Sequence, residues 1–175
     1  MGKNHLSAST QLTSIPAAVL TELNRQLTLE QYSVSCAYAM SAALENMQWP
    51  GMAKYWRKQA KDEQGHAKKL FKYMVDRDSP PVIEAVPAPP AMLTDPLGIF
   101  NYGLSNSKDV TVSIDKISQL AHDAGDYATF HFLAWYVKDQ VKEERDILDA
   151  VAQLQHAGSD MSALLHVDHR IGKAR

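Results

Sequence analysis

Cysteine is nearly absent, since the chain of 175 residues has only Cys36. A single thiol cannot form an internal disulfide, and it excludes zinc and iron–sulfur sites built from several cysteines. The sequence also lacks any apolar run long enough to span a bilayer, and its first residues lack the apolar core of a signal peptide. We therefore expect a cytoplasmic protein that does not enter a membrane, with Cys36 as a small core residue.

An excess of charge of one sign is missing as well. Lys and Arg number 18 against 20 for Asp and Glu, which leaves a formal net charge of -2. This balance gives no reason to expect nucleic acid as a partner. Hydrophobic residues make up 45% of the chain, enough for one domain with a substantial core. We expect a loose arm over residues 1–13, one domain over 14–171 and a short tail over 172–175.

The alternating pattern typical of β-strands does not stand out, and apolar residues instead recur every three or four positions. This spacing predicts an all-α fold with four long helices and a short fifth one. The expected ranges are about 16–46, 52–76, 96–124, 126–156 and 160–171. Asp95 and Pro96 open the third helix, Asp126 is a typical cap of the fourth, and Gly158 is a typical helix end.

Proline is concentrated in one segment, because five of the eight prolines lie between residues 80 and 90. A helix is excluded there. About 17 extended residues reach roughly 55 Å, whereas a helix of about 25 residues is roughly 38 Å long. The predicted architecture is therefore a four-helix bundle with a long crossover between helices two and three, which brings the chain back to the end where helix two starts.

Polar residues interrupt the apolar faces of three predicted helices. Glu30 lies on the first helix, Glu63 and His66 on the second, and Gln140 and Glu143 on the fourth. Burying ionisable groups is costly unless they are paired or hold a metal. Glu63 and His66 form the Glu-x-x-His spacing of carboxylate-bridged di-metal sites in four-helix bundles. A buried hydrogen-bonded network is the other interpretation. As metal ligands, these groups suit iron or manganese.

Four runs of the sequence resemble the prokaryotic non-haem ferritins. They are Leu27–Ser33, Tyr55–His66, Leu70–Met74 and Asp126–Glu144. The similarity extends over about residues 14–171. Bacterioferritins are less similar, because they have a second Glu-x-x-His on the fourth helix, where this chain has Gln140-x-x-Glu143. A rubrerythrin would need a four-cysteine iron site.

The resemblance implies a ferritin-like bundle that assembles into a homo-oligomeric, hollow shell of twenty-four subunits and stores ferric mineral. It also implies a ferroxidase centre with two irons in each subunit, oxidised by dioxygen or hydrogen peroxide. Glu30 and His66 would ligate the first iron, and Glu63 would bridge both irons. Glu143 would ligate the second iron, with Gln140 close by as a further metal-binding residue.

Several positions depart from the family pattern. Ser107 stands where these ferritins place a second-iron glutamate on the third helix, so we expect a weak second site. Ala37 stands where they have a tyrosine near the centre. Their accessory third iron site uses outlying acids, which correspond here to Asp62, Asp139 and Lys142. A lysine repels cations, so we expect the accessory site to be lost.

Three functions are compatible with these residues. The first is an iron-storage shell with a working but altered ferroxidase centre. The second is a shell subunit with a largely inactive centre, which only stores or nucleates mineral. The third is a discrete di-iron oxidase, or a metal-free helical protein that acts on a small molecule, which forms no shell.

Overall fold

Five helices make up the computed structural model, which describes residues 14–91 and 94–173. They are α1 (Ala17–Asn46), α2 (Pro50–Asp76), α3 (Pro96–Asp123), α4 (Tyr127–Ala157) and α5 (Met161–Lys173), with no strand in the described ranges. The predicted all-α fold is confirmed. The predicted arm, 1–13, lies outside the described residues, and α5 continues two residues beyond the predicted domain end. No helix in the described part is long and apolar enough to cross a membrane.

Side-chain caps fix the starts of α3 and α4. The Asp95 carboxylate accepts a hydrogen bond from the Gly98 N–H at 2.7 Å. The Asp126 carboxylate accepts one from the Thr129 N–H at 3.2 Å. Both aspartates satisfy donors that have no partner inside the helix, and the cap by Asp126 was predicted from the sequence.

A short turn joins α1 to α2. Gln48 adopts a positive φ of 63°, and the Trp49 N–H donates to the Leu44 carbonyl at 2.9 Å. The turn makes the two helices an antiparallel pair. Helix α2 starts at Pro50, two residues before the predicted Met52, because the fixed φ of proline suits the first position of a helix.

The proline-rich crossover brings α3 back to the start of α2. The ring of Phe100, near the start of α3, lies 5.4 Å from the ring of Tyr55 and 5.2 Å from that of Trp56, both near the start of α2. Early in the crossover, the Val82 N–H donates to the Asn24 side chain of α1 at 2.7 Å. The long connection therefore runs along the bundle, as predicted.

Two apolar clusters fill the bundle and leave a polar layer between them. One cluster takes residues 36–60 from α1 and α2 and residues 147–157 from α4. The other takes residues 15–27, 67–74 and 133–136 from the same helices. On each helix the residues between these ranges fall at the same depth. The layer therefore lies at mid-bundle, where Glu30, Glu63, His66, Gln140 and Glu143 are found.

Helix α5 docks on the first turn of α2 through Asp168. Its carboxylate accepts hydrogen bonds from the Gly51 N–H at 3.0 Å and the Met52 N–H at 2.8 Å, so it caps a helix more than a hundred residues away in sequence. Lys54 donates to the Gly172 carbonyl at 2.8 Å. A side chain at Gly51 would lie 2.0 Å from the Asp168 carbonyl oxygen. Only glycine fits this contact.

Candidate metal centre

The polar layer gathers five side chains from three helices. They are Glu30 on α1, Glu63 and His66 on α2, and Gln140 and Glu143 on α4, each at most 5% exposed. The helical period places each of them on the buried face of its helix. All five predicted site residues therefore point into the bundle.

Glu30, Glu63 and His66 form the tightest group in this layer. One ligand atom from each lies within 4.8 Å of the others. His66 Nδ1 lies 2.9 Å from Glu63 Oε2 and 3.5 Å from Glu30 Oε2. The two α2 residues share a face because they are three positions apart. Two carboxylates and one imidazole at this separation can hold a divalent cation.

Burial and mutual charge set the protonation of the metal-free centre. Burial opposes a charge on His66, but the carboxylates of Glu30 and Glu63 raise its pKa to about 11. Burial, supported by the charge of Glu30, raises the pKa of Glu63 to about 7. Burial and the charge of Glu63 raise the pKa of Glu143 to about 8. The layer thus holds protons that a bound cation would displace.

Two glutamines and a tyrosine brace the carboxylates. Gln26 and the Tyr136 hydroxyl both donate to Glu30 Oε1, and Gln59 donates to Glu63 Oε1 at 2.8 Å. In each glutamate this leaves Oε2 facing His66. Sequence reasoning missed the glutamines. The spacing could have indicated them, because Gln26 and Gln59 each lie four residues before a site glutamate and therefore on the same helix face.

The side of the layer formed by α3 and α4 carries fewer candidate metal ligands than the side formed by α1 and α2. Ser107 is buried, and its hydroxyl donates to Gln140 Oε1 at 3.4 Å. The Thr111 hydroxyl lies 3.2 Å from the same oxygen. Glu143 is not in the group of three, and hydrogen bonding from Ser107 and Gln59 only partly opposes the rise of its pKa. This side offers one carboxylate of its own, whereas the other offers two and an imidazole.

A cavity of about 370 Å³ opens between α2 and α4 and reaches the centre. Its walls are formed by Lys61, Asp62, Gly65, His66, Lys69, Asp139, Lys142 and Glu143. His66 Nε2 lies 2.9 Å from Asp139 Oδ2 in this cavity. Lys142 pairs with Asp146 at 3.0 Å. The three lysines in these walls offset the charge of Asp62, Asp139 and Glu143, so the cavity attracts a cation less than its acids alone would. The loss of the accessory site stays a prediction.

Aromatic rings close the centre on the α4 side. Trp135 and Tyr136 stack with their ring centroids 4.6 Å apart, and these centroids lie 5.5 and 4.9 Å from that of His66. Ala37 is buried in an apolar cluster, while the neighbouring Tyr38 is 55% exposed. Tyr136, rather than Tyr38, therefore brings a phenol to the carboxylates.

Unsatisfied atoms in the layer fit a cation. Glu30 Oε2 accepts no hydrogen bond and has His66 Nδ1 beside it at 3.5 Å, and the carbonyl oxygen Oε1 of Gln26 has no partner, although both oxygens are buried. Buried polar atoms normally have partners. A cation would take the place of the His66 proton beside Glu30 Oε2, and carboxylates with one imidazole suit Fe²⁺. The residues present therefore fit iron.

Comparison with known proteins shows the family to which the chain belongs. A family model for the ferritin-like domain matches residues 20–157, which include all five side chains. The chain is 34% identical over 146 residues to the bacterial non-heme ferritin of Staphylococcus saprophyticus, across 83% of this chain and 87% of that protein. This chain belongs to the ferritin family. The ferritin of Staphylococcus aureus strain USA300 is 31% identical over 154 residues, across 88% of this chain and 93% of its own length.

Solved ferritin structures share the fold. An open-pore ferritin from the archaeon Archaeoglobus fulgidus superposes with a TM-score of 0.89 at 32% identity, and the match covers 93% of this chain and all of the other. A humanised archaeal ferritin gives 0.89 at 30% identity over 93% of this chain and 99% of its own. The resemblance inferred from sequence is confirmed, and the arrangement of α1 to α5 is that of a ferritin subunit.

Proposed function

We propose that this protein is an iron-storage ferritin that oxidises Fe²⁺ at the buried centre. The observation that carries the proposal is the group formed by Glu30, Glu63 and His66, which lies inside the bundle with its ligand atoms within 4.8 Å of one another. A buried cluster of this charge is costly without a cation. Family membership supplies iron as the substrate that fits it.

Each residue has a distinct role in this proposal. Glu30 and His66 bind the first Fe²⁺ and Glu63 bridges to the second, which Glu143 also ligates, with Gln140 alongside. Their negative charge offsets the charge of the metal inside the bundle. Gln26 donates a hydrogen bond to Glu30 Oε1, and Gln59 donates one to Glu63 Oε1. Oε2 of each glutamate therefore stays directed at the metal position.

The proposed reaction balances with dioxygen as the oxidant. Two Fe²⁺ give up one electron each, and dioxygen takes both electrons and two protons to become hydrogen peroxide. Hydrogen peroxide can in turn serve as an oxidant of further Fe²⁺. The Fe³⁺ produced then passes to the mineral store. The chain's contribution is to hold both irons at a fixed separation in a buried layer.

The second iron site is weaker than the first in this proposal. Ser107 gives a neutral hydroxyl 3.4 Å from Gln140 Oε1, where a carboxylate would add negative charge. Fewer anionic ligands attract a divalent cation less strongly. Oxidation is expected to depend on how well this second position fills.

The storage part of the proposal rests on assembly. A single bundle has no internal space for a mineral, so storage needs a shell. We propose a homo-oligomer of twenty-four copies of the domain over 14–171, in the cytoplasm. The similarity to ferritins over nearly the whole chain supports it.

A shell subunit with an inactive centre is the second candidate. The observation that favours it is the incomplete side at Ser107, together with lysines in the cavity that leads to the centre. Such a subunit would only store or nucleate mineral from iron oxidised elsewhere. A discrete di-iron oxidase is distinguished from both by size in solution, because it would form no shell.

Stopped-flow absorbance of ferric iron tests the proposed oxidation. The assembled protein is mixed with two Fe²⁺ per chain in air, beside Glu63→Gln and the control Glu84→Gln, an exposed glutamate in the crossover. We expect Glu63→Gln to slow the initial rate by roughly 100-fold or more, since a bridging ligand is lost. Glu84→Gln keeps the parent rate.

Equal rates for the parent and Glu63→Gln would contradict oxidation at this centre. If both were as slow as iron in buffer, the inactive shell subunit would be the correct function. A chromatographic mass of one or two chains would remove the shell and leave the discrete oxidase.

A further inference from the structure

His66 presents two different nitrogens to two different surroundings. Nδ1 faces the buried carboxylates, at 2.9 Å from Glu63 Oε2, and Nε2 faces the cavity between α2 and α4. Only the nitrogen that faces the carboxylates can join them around one cation. A histidine that ligates through Nδ1 must keep its other proton on Nε2.

Asp139 lies where it can hold that proton. Its Oδ2 is 2.9 Å from His66 Nε2, and its side chain is half exposed at the mouth of the cavity. Neutral imidazole has one donor and one acceptor nitrogen, so a carboxylate at Nε2 fixes the donor there. Nδ1 is then left as the lone-pair nitrogen when a cation replaces its proton.

The resemblance to other ferritins implies a different role for the acid at position 139. There, the corresponding acid belongs to an accessory iron site. Here Lys142 occupies one corner of that site, and Lys61 and Lys69 line the same cavity. The Asp139 oxygen is directed at His66 instead. A cation in the cavity would meet three lysines as well as the acids, which weakens the attraction of the acids for it.

We propose that Asp139 is a positioning residue, which holds the His66 ring so that Nδ1 is the nitrogen that binds the first iron. The inference rests on the proposed function of the centre and deepens it. Metal-ligating histidines commonly donate their other N–H to a carboxylate, and loss of such a partner costs 10- to 100-fold in metal affinity. Asp139 touches neither iron in this arrangement.

Anaerobic titration with Co²⁺, followed by its ligand-field absorption, tests the proposal without any oxidation step. The assembled full-length protein is compared with Asp139→Leu, which removes the acceptor, and with Asp139→Asn, which keeps an oxygen acceptor but loses the charge. Asp149→Leu removes the same charge from an exposed position on the same helix. His66→Ala marks the loss of the ligand itself.

We expect Asp139→Leu to weaken the first Co²⁺ site 10- to 100-fold, while Asp139→Asn and Asp149→Leu stay within a few-fold of the parent. Thermal melting without metal checks that Asp139→Leu remains folded. Rescue by asparagine is the result that a purely electrostatic or metal-ligating role would not give.

Two results would overturn the positioning role. One is unchanged affinity in Asp139→Leu, and the other is an equal loss in the asparagine and leucine variants. Failure of the proposed function looks different, because the parent and His66→Ala would then bind Co²⁺ alike.

Discussion

In the proposed centre, Ser107 is the residue that we expect to limit the second iron site. Its hydroxyl lies 3.4 Å from Gln140 Oε1 and adds no negative charge to the second site. Glu63 and Glu143 are the carboxylates on that side, and both have raised pKa values because they are buried. A cation there must displace protons from them before it gains their charge.

Ser107→Glu is expected to tighten the second site. An added carboxylate attracts a divalent cation more strongly, and we expect at least roughly a tenfold gain in affinity, about 1.4 kcal/mol. Anaerobic calorimetry with Co²⁺ measures it, and Ser107→Ala is the matched control that adds no ligand. If the glutamate variant is folded but binds the second Co²⁺ no better than the alanine variant, position 107 does not limit the site.

Glu143 is expected to make the metal-free fold sensitive to pH. Its pKa is raised to about 8, first by burial and then by the charge of Glu63. Because this pKa is higher in the folded than in the unfolded chain, protonated Glu143 contributes to the free energy of unfolding. The contribution is fully present below the unfolded pKa and is lost as the pH rises through the folded pKa.

Glu143→Gln therefore should raise the Tm of the metal-free protein by a few degrees at pH 9 and by less at pH 5. A gain of about 1 kcal/mol corresponds to roughly 2–4 °C in a chain of this size. Differential scanning calorimetry with a chelator present measures the difference. A Tm gain that is equal at the two pH values would show that ionisation of Glu143 is not its cause.

The burial of the candidate site residues was predictable where a local pattern indicates it. Glu30, Glu63 and Glu143 interrupt apolar faces, and that is visible from helical spacing alone. The contact between His66 and Asp139 spans 73 residues, and no local pattern indicates it. A sequence gives the direction of a side chain on its own helix, but not the partner that another helix brings to it.

At the scale of the helices, apolar periodicity, prolines and capping residues predicted each element. The largest differences in helix bounds are two residues, at the start of α2, which begins at Pro50, and at the end of α5. The docking of α5 was not predictable, since Asp168 reaches the first turn of α2 across 117 residues of sequence.

Asp168→Ala is expected to destabilise this docking. It leaves the Gly51 and Met52 N–H groups without their cap, at a cost of about 1–2 kcal/mol, and loosens α5. Urea unfolding and the rate of limited proteolysis within α5 measure the effect. Asp160→Ala is the control, because Asp160 caps an exposed helix start through the Ala163 N–H at 2.8 Å. Equal effects of the two substitutions would argue against a special role for the α2 contact.

At the scale of the whole molecule, the shell requires surfaces that meet other copies. A groove of about 330 Å³ between α1 and α2 has a largely apolar lining that includes Leu27, Val34, Ala67 and Phe71. Phe71 is 46% exposed in the single chain. Exposed apolar surface often marks an interaction site, and we expect a second copy of the chain to cover this groove in the shell.

Phe71→Asp is expected to break the assembly into small species without unfolding the helices, because a carboxylate at an apolar interface loses its hydration. Analytical ultracentrifugation gives the size, and far-UV circular dichroism gives the helix content. Val141→Asp, on α4 outside the groove, is the control. A Phe71→Asp protein of parent size would exclude the groove from the subunit contacts.

The central claim is a buried centre with one strong and one weak iron site in each chain. Anaerobic isothermal titration of the assembled, metal-free protein with Fe²⁺ tests it most directly. The account predicts one tight Fe²⁺ per chain, abolished by His66→Ala, and a second that binds at least roughly tenfold more weakly. Two equally tight sites per chain, or binding that His66→Ala leaves unchanged, would contradict it.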